Sequence, residues 1–128
     1  MWKKKWKRKE YYEDKLIYEG EYSNGERNGK GKEYYKFVGD LLYEGEYLNG
    51  KRNGKGKEYS SIGKLIYEGE YLNGERNGKG KEYCYGELIF EGEYLEGKRW
   101  NGKGKDYRYG ELIFEGEYSN GELKKKIN

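Results

Sequence analysis

The segment Tyr-Glu-Gly-Glu-Tyr at residues 18–22 returns at 43–47 and 67–71, and as Phe-Glu-Gly-Glu-Tyr at 90–94 and 114–118. The steps are 25, 24, 23 and 24 residues. A repeat of this length is one supersecondary unit, which cannot bury its apolar face alone and must stack on its neighbours. After each of the first four copies a turn leads into Gly-Lys-Gly-Lys-(Glu/Asp)-Tyr, at residues 29–34, 54–59, 78–83 and 102–107. A more variable stretch then reaches Leu-Leu or Leu-Ile and the next copy.

Period-two alternation makes each copy a strand. Leu65, Tyr67, Gly69 and Tyr71 are expected on one face, and Ile66, Glu68 and Glu70 on the other. Asn24-Gly25, Asn49-Gly50 and Asn73-Gly74 accept positive φ and close hairpins. The expected fold is all-β: one elongated, single-layer antiparallel meander of stacked β-hairpins with about ten strands. Three stretches divide the chain: a basic segment and capping half-repeat (1–17), the repeat array (18–121) and a basic C-terminal tail (122–128).

Pairing the glycines gives a register. With Gly20 opposite Gly31, Glu21 faces Lys30 and Glu19 faces Lys32. The same offset predicts Glu46–Lys55, Glu44–Lys57, Glu70–Lys79, Glu68–Lys81, Glu93–Lys103 and Glu91–Lys105, with the extra residue Trp100 absorbed in the fourth loop. Each pair is worth about 0.2–1 kcal/mol, so together they fix register more than stability. Glycine weakens strands, so the paired glycines are expected to form hollows that receive tyrosine rings from a neighbouring hairpin. Alternation also sends Tyr34, Tyr59, Tyr83 and Tyr107 to the face opposite Tyr18. Either both faces carry aromatics or a bulge shifts the second strand.

A chain with 33% hydrophobic and 40% charged residues would ordinarily be too polar to fold. Here 17 Tyr, 3 Phe and 3 Trp supply the missing apolar area. Residues 1–9 carry six basic groups and no acid, whereas residues 10–121 hold 18 basic and 23 acidic groups, a net of −5. Such a body is a poor phosphate surface, so nucleic acid is not an expected partner. There is no His, and Cys84 is the one cysteine. No nucleophilic dyad and no Cys or His metal cluster can be assembled, so catalytic residues, metals and cofactors are not expected. The repeated glutamate pairs read as a structural ladder. The Gly-Lys-Gly segments lack the following helix that phosphate loops use. Cys84 stands where other units have Tyr35, Ser60 and Arg108, so the repeat does not require it. With no internal disulfide and no apolar leader, a cytoplasmic protein is expected, peripheral to membrane if it binds lipid.

Residues 43–56, YEGEYLNGKRNGKG, resemble the membrane occupation and recognition nexus (MORN) repeat, whose pattern is Tyr-x-Gly-x-(Tyr/Trp), a Gly-containing loop, then Gly-x-Gly. Residues 18–31, 67–80 and 90–104 fit it too, and the resemblance spans 18–121 with Lys9–Ile17 as a partial unit. It implies a sheet of hairpins used for protein–protein contact, scaffolding or dimerisation, with phospholipid binding as the activity behind the family's name.

Two surfaces are expected to bind. A face lined by Tyr22, Tyr47, Tyr71, Tyr94, Trp100 and Tyr118 suits a protein partner, because aromatics anchor interfaces. Trp2, Lys3, Lys4, Lys5, Trp6, Lys7 and Arg8 would, as a helix, form an interfacial anchor on anionic membrane. The other reading aligns residues 6–11 with Gly-Lys-Gly-Lys-Glu-Tyr as the strand of a capping half-unit. The expected function is non-catalytic protein–protein interaction or scaffolding, with homodimers formed through the sheet ends. The alternative is binding to anionic phospholipid through the basic N-terminus.

Overall fold

The computed structural model describes residues 6–126. Eleven strands follow one another: β1 (Trp6–Tyr12), β2 (Lys15–Ser23), β3 (Glu26–Tyr34), β4 (Leu41–Leu48), β5 (Lys51–Tyr59), β6 (Leu65–Leu72), β7 (Glu75–Cys84), β8 (Glu87–Leu95), β9 (Lys98–Arg108), β10 (Glu111–Ser119) and β11 (Glu122–Lys126). They form one antiparallel sheet in strict chain order. The C-terminal stretch expected as a tail supplies β11, which pairs with β10. At the other end Trp6–Tyr12 is a strand, paired Lys7↔Glu21 and Lys9↔Glu19, as the half-unit reading requires. Trp2, Lys3, Lys4 and Lys5 of the proposed membrane anchor lie outside the described residues.

The hairpins close through two-residue turns with both φ values positive, for instance Asn49 at 50° and Gly50 at 83°. That turn twists with the strands rather than against them. From the second hairpin on, each of these turns also stitches two units together. The Gly50 amide donates to the Arg27 carbonyl at 2.9 Å, Gly74 to Arg52 at 2.9 Å, and Gly97 to Arg76 at 2.8 Å.

In the first three hairpins (β2–β3, β4–β5, β6–β7) the glycines pair as expected: Gly20↔Gly31, Gly45↔Gly56 and Gly69↔Gly80. Glu19–Lys32, Glu44–Lys57 and Glu68–Lys81 pair beside them. The second expected lysine does not pair. A bulge intervenes before Tyr22, Tyr47 and Tyr71, and the glutamate carboxylate accepts the lysine's backbone amide instead. The distances are 2.7 Å for Lys30 to Glu21, 3.0 Å for Lys55 to Glu46 and 2.7 Å for Lys79 to Glu70. The first glycine of Gly-Lys-Gly makes this bulge, with φ near +93° at Gly78.

The fourth hairpin departs from the expected Glu93–Lys103 and Glu91–Lys105. Its register is Gly92↔Gly102, Glu91↔Lys103 and Glu93↔Asn101. Trp100 is not absorbed in the loop, because Tyr94↔Arg99 and Leu95↔Lys98 keep the same tight turn as the other units. The strand slips by two residues, an even number that keeps every side chain on its face.

The core lies on one face and is nearly all aromatic: Tyr18, Tyr22, Tyr43, Tyr47, Tyr67, Tyr71, Phe90 and Tyr94 are buried, with Leu42 and Tyr118 packed against them. Ring centroids zigzag edge-to-face along the array, 5.3 Å from Tyr18 to Tyr47, 5.4 Å from Tyr43 to Tyr47 and 5.2 Å from Tyr43 to Tyr71. Such geometry suits the ring quadrupole. The glycine hollows are real, but each ring comes from the same hairpin rather than a neighbour. A Cβ on Gly80 would sit 2.4 Å from the Tyr67 hydroxyl and 2.6 Å from its Cε1.

Candidate interaction surface

Two observations on the aromatic face explain the shape of the opposite one. Arg76 and Glu82 are six residues apart on β7, a span of about 20 Å if the strand were straight. Their side chains nevertheless meet at 3.9 Å, and Arg27 meets Glu33 at 3.4 Å in the same way. The strands therefore fold sharply toward the aromatic face at their glycine bulges, enclosing the rings.

Inside the fold an arginine caps each ring and reaches back to the preceding unit. Arg52 lies 4.3 Å from the Tyr43 centroid and binds Glu33 at 2.7 Å. Arg76 lies 4.3 Å from Tyr67 and grips Glu58 with two nitrogens, at 3.0 and 3.1 Å. Arg99 grips Glu82 likewise at 2.9 and 3.0 Å. Tyr71 and Tyr94 add hydroxyl hydrogen bonds to Glu58 and Glu82. Burial would raise the Glu58 carboxyl, but the bonds from Arg76 and Tyr71 outweigh it and hold it below its usual range. Glu82 is lowered in the same manner against its own burial, by Arg99 and Tyr94. This arginine–glutamate ladder, rather than the lysine–glutamate pairs, locks unit to unit inside the fold. Its signal in the sequence is an arginine at one fixed place after the first four hairpin turns (Arg27, Arg52, Arg76, Arg99), whereas the Gly-Lys-Gly-Lys segments that follow carry only lysine.

Bending toward the rings splays the two charged rows on the outer face. Between them lies a trough floored by the backbone of Gly20, Gly31, Gly45, Gly56, Gly69, Gly80 and Gly92. A side chain at Gly31, Gly56 or Gly80 would point away from it, into the Tyr18, Tyr43 and Tyr67 rings. It comprises stretches of about 1070 and 970 Å³ that meet at Glu44 and Lys55. Its walls alternate in charge from strand to strand, and between hairpins Lys32–Glu44 and Lys81–Glu91 approach to 3.6 and 3.8 Å. Both faces carry aromatics, which resolves the alternative left open above. Tyr34 and Tyr83 lie on the trough side and donate to Glu19 at 2.5 Å and Glu68 at 2.7 Å. Burial and the Glu19 bond push the Tyr34 hydroxyl up to about 12, and the Glu68 bond with burial does the same to Tyr83. The bulges of the inter-hairpin ladders fall elsewhere, at Leu42 and Ile66, which breaks the expected alternation of the Leu-Leu and Leu-Ile pairs.

The aromatic partner surface expected from the sequence is not present as such. Tyr22, Tyr47, Tyr71 and Tyr94 are 3–6% exposed, because the fold closes over them. Tyr118 is half-buried against the core. Trp100 is half-buried with its ring over the last turn, where a Cβ on Gly121 would come within 2.9 Å of it. Of the expected lipid contacts, Trp6, Lys7 and Arg8 are exposed on β1, and Lys7 and Arg8 line one end of the trough with Lys9. Cys84 is half-buried near the end of β7.

The bent hairpin with its glycine bulge, ring cap and tight turn is the unit of a recognised class. The profile of the MORN repeat matches residues 18–36, 43–64 and 67–86, and the chain belongs to the MORN-repeat family. The three matched segments are the three hairpins that share one register. A comparison with curated proteins gives no match.

Proposed function

We propose that this chain is a non-catalytic module for protein–protein interaction or scaffolding, and that the trough is where it binds. MORN repeats are associated with protein and membrane interaction at large. The observation favouring a protein ligand is the trough itself: long, glycine-floored and walled by lysines and glutamates in alternation. Bare backbone lets a ligand approach closely, and mixed charge at the walls gives specificity. An anionic bilayer would instead call for an excess of basic groups along the contact. The test is capture of partners from the native source by the wild-type chain and by a Lys55→Glu/Lys79→Glu variant. Loss of a captured protein in the variant, with its strand spectrum intact, supports the trough. Identical capture by both would end this assignment.

Binding to anionic phospholipid is the second reading, favoured by the exposed Lys7, Arg8 and Lys9 at one end of the sheet. Flotation with anionic vesicles decides it: salt-sensitive binding that disappears when residues 1–9 are removed would carry it.

A further inference from the structure

We propose that the outer edge of β1 docks an acidic extended segment of another protein, one bearing Glu-x-Glu, which adds to the sheet as a further antiparallel strand. The proposal rests on the interaction reading above and names the chemistry of one partner. The pairing rule inside the array carries it. Strands β3, β5 and β7 are the lysine strands, and each lies between two glutamate strands. Lys32 faces Glu19 on one side and Glu44 on the other. Lys57 faces Glu44 and Glu68, and Lys81 faces Glu68 and Glu91. On their second side Lys30, Lys55 and Lys79 also face Glu46, Glu70 and Glu93.

By its register β1 is a lysine strand of the same kind, with Lys7 on Glu21 and Lys9 on Glu19. It is the terminal strand of the sheet among the described residues, so its lysines meet glutamates from one side alone. Lys7, Arg8 and Lys9 are exposed. Lys7 and Lys9 head the two rows that wall the trough, so an incoming Glu-x-Glu would continue both rows in their alternation. The residue between the glutamates would fall beside Arg8, whose guanidinium already covers the Tyr22 ring at 4.9 Å. An acidic or small side chain suits that place.

Charge also rules on a second copy of this chain. Two β1 edges brought together would oppose Lys-Arg-Lys to itself, and like charges directly opposite are destabilising. The other terminal strand, β11, reads Glu-Leu-Lys-Lys-Lys and is no better complement. Strand addition supplies main-chain hydrogen bonds to any extended segment, and side chains choose among them. Lysines on an edge strand can also serve only to repel strands, and the two roles give opposite results with an acidic peptide.

A fluorescent peptide copying residues 16–23, LIYEGEYS, is titrated into the full chain by anisotropy, beside a version with both glutamates changed to lysine. The acidic peptide is expected to bind and the basic one to fail. Lys7→Glu/Lys9→Glu should reverse that preference, and N-methylation of alternate peptide amides should abolish binding. Should the reversed variant lose its strand spectrum, Lys7→Gln/Lys9→Gln replaces it and should weaken the acidic peptide about threefold to tenfold. No binding of the acidic peptide, binding indifferent to residues 7 and 9, or indifference to N-methylation would each overturn the proposal. Capture through Lys55 and Lys79 is independent of this edge, so its survival would keep the interaction reading while the edge proposal fell.

Discussion

The third and fourth hairpins differ at few positions yet close in different registers. In the third, the Tyr67 hydroxyl donates to the Glu70 carbonyl at 3.0 Å, and the Glu70 carboxylate accepts the Lys79 amide at 2.7 Å. These two bonds satisfy the backbone groups that the bulge at Gly78 takes out of the ladder, and Gly69 pairs with Gly80. In the fourth, Phe90 has no hydroxyl to give, Trp100 adds a residue, and Gly92 pairs with Gly102. Packing loosens with the slip. The arginine that sits 4.3 Å from Tyr67 is matched by one 4.9 Å from Phe90, and the Phe90–Tyr118 centroids part to 5.8 Å. The next ladder recovers the common pattern, Gly104↔Gly116. The slip is therefore confined to ladders inside a hairpin, and it recurs in the last one, where Gly116↔Lys126 and Tyr118↔Leu123 take the same offsets beside Phe114.

The largest effect expected from this contrast is alkaline. Burial pushes the Tyr18 hydroxyl from 10.0 up to about 12, against the opposing pull of Arg27. Burial raises Tyr43 and Tyr67 as well. A raised folded-state value means that the contribution is complete below pH 10 and is lost as pH rises through about 12 for Tyr18. Position 90 has no such group. Far-ultraviolet dichroism with phenolate absorbance should show strand structure lost over this range as buried rings ionise. Tyr67→Phe, which makes the third unit resemble the fourth, should lose less stability across it.

Glycine substitution comes next in size. Gly80 and Gly104 hold the same place in the repeat, but only at Gly80 would a Cβ fall within 3 Å of a tyrosine ring. Gly80→Ala must move the Tyr67 ring and should cost about 1–3 kcal/mol by overpacking. At Gly104 a Cβ would meet Arg99, Phe90 and Tyr118 atoms at 3.0–3.2 Å, where slight yielding suffices. Gly104→Ala should cost under about 1 kcal/mol. Urea titration of both variants checks the order, and equal costs would show that the ring position is not what the glycine protects.

The sequence made the meander, the glycine pairing of three hairpins and the unit boundaries readable because each rests on local rules of alternation and turn chemistry. What it hid depends on curvature. Alternation places Tyr22 and Tyr47 on a common face, but only the bend at the glycine bulges decides that this face is closed. The trough is the other side of that bend and was hidden with it. The arginine ladder was missed for the same reason, since Arg76 and Glu82 are distant in a straight strand. Trp100 was visible as an insertion, but whether loop or ladder takes it up depends on a hydroxyl bond that phenylalanine cannot make.

That dependence can be tested at smaller scale. Tyr67→Phe removes one buried hydroxyl bond and should cost about 0.5–1.5 kcal/mol. Phe90→Tyr alone should give no matching gain, because Glu93 is held against Asn101 in the slipped register. Combined with deletion of Trp100 it should restore the common register, with nuclear Overhauser contacts between Gly92 and Gly104 replacing those between Gly92 and Gly102. Restoration by the deletion alone would assign the slip to the insertion and not to the missing hydroxyl.

The smallest effect is expected where the ladder stops. Tyr71↔Arg76 and Tyr94↔Arg99 pair in the third and fourth units, and the equivalent pair in the last is Tyr118↔Leu123. Leu123 is 41% exposed and has no guanidinium to offer. Asp106, at the place of Glu82 one unit on, has Arg99 of its own hairpin at 3.4 Å. Leu123→Arg should extend the ladder, setting a guanidinium near the Phe114 ring and the Asp106 carboxylate. Both sites are only half-buried, so the gain should be no more than about 0.5–1 kcal/mol. Thermal melts at low and high salt separate its parts: an ion-pair gain fades with salt, whereas the ring contact and the covering aliphatic stem persist. A melting temperature that stays the same or falls would show that the ladder stabilises only the enclosed units, and that the last hairpin is not bent tightly enough to use it.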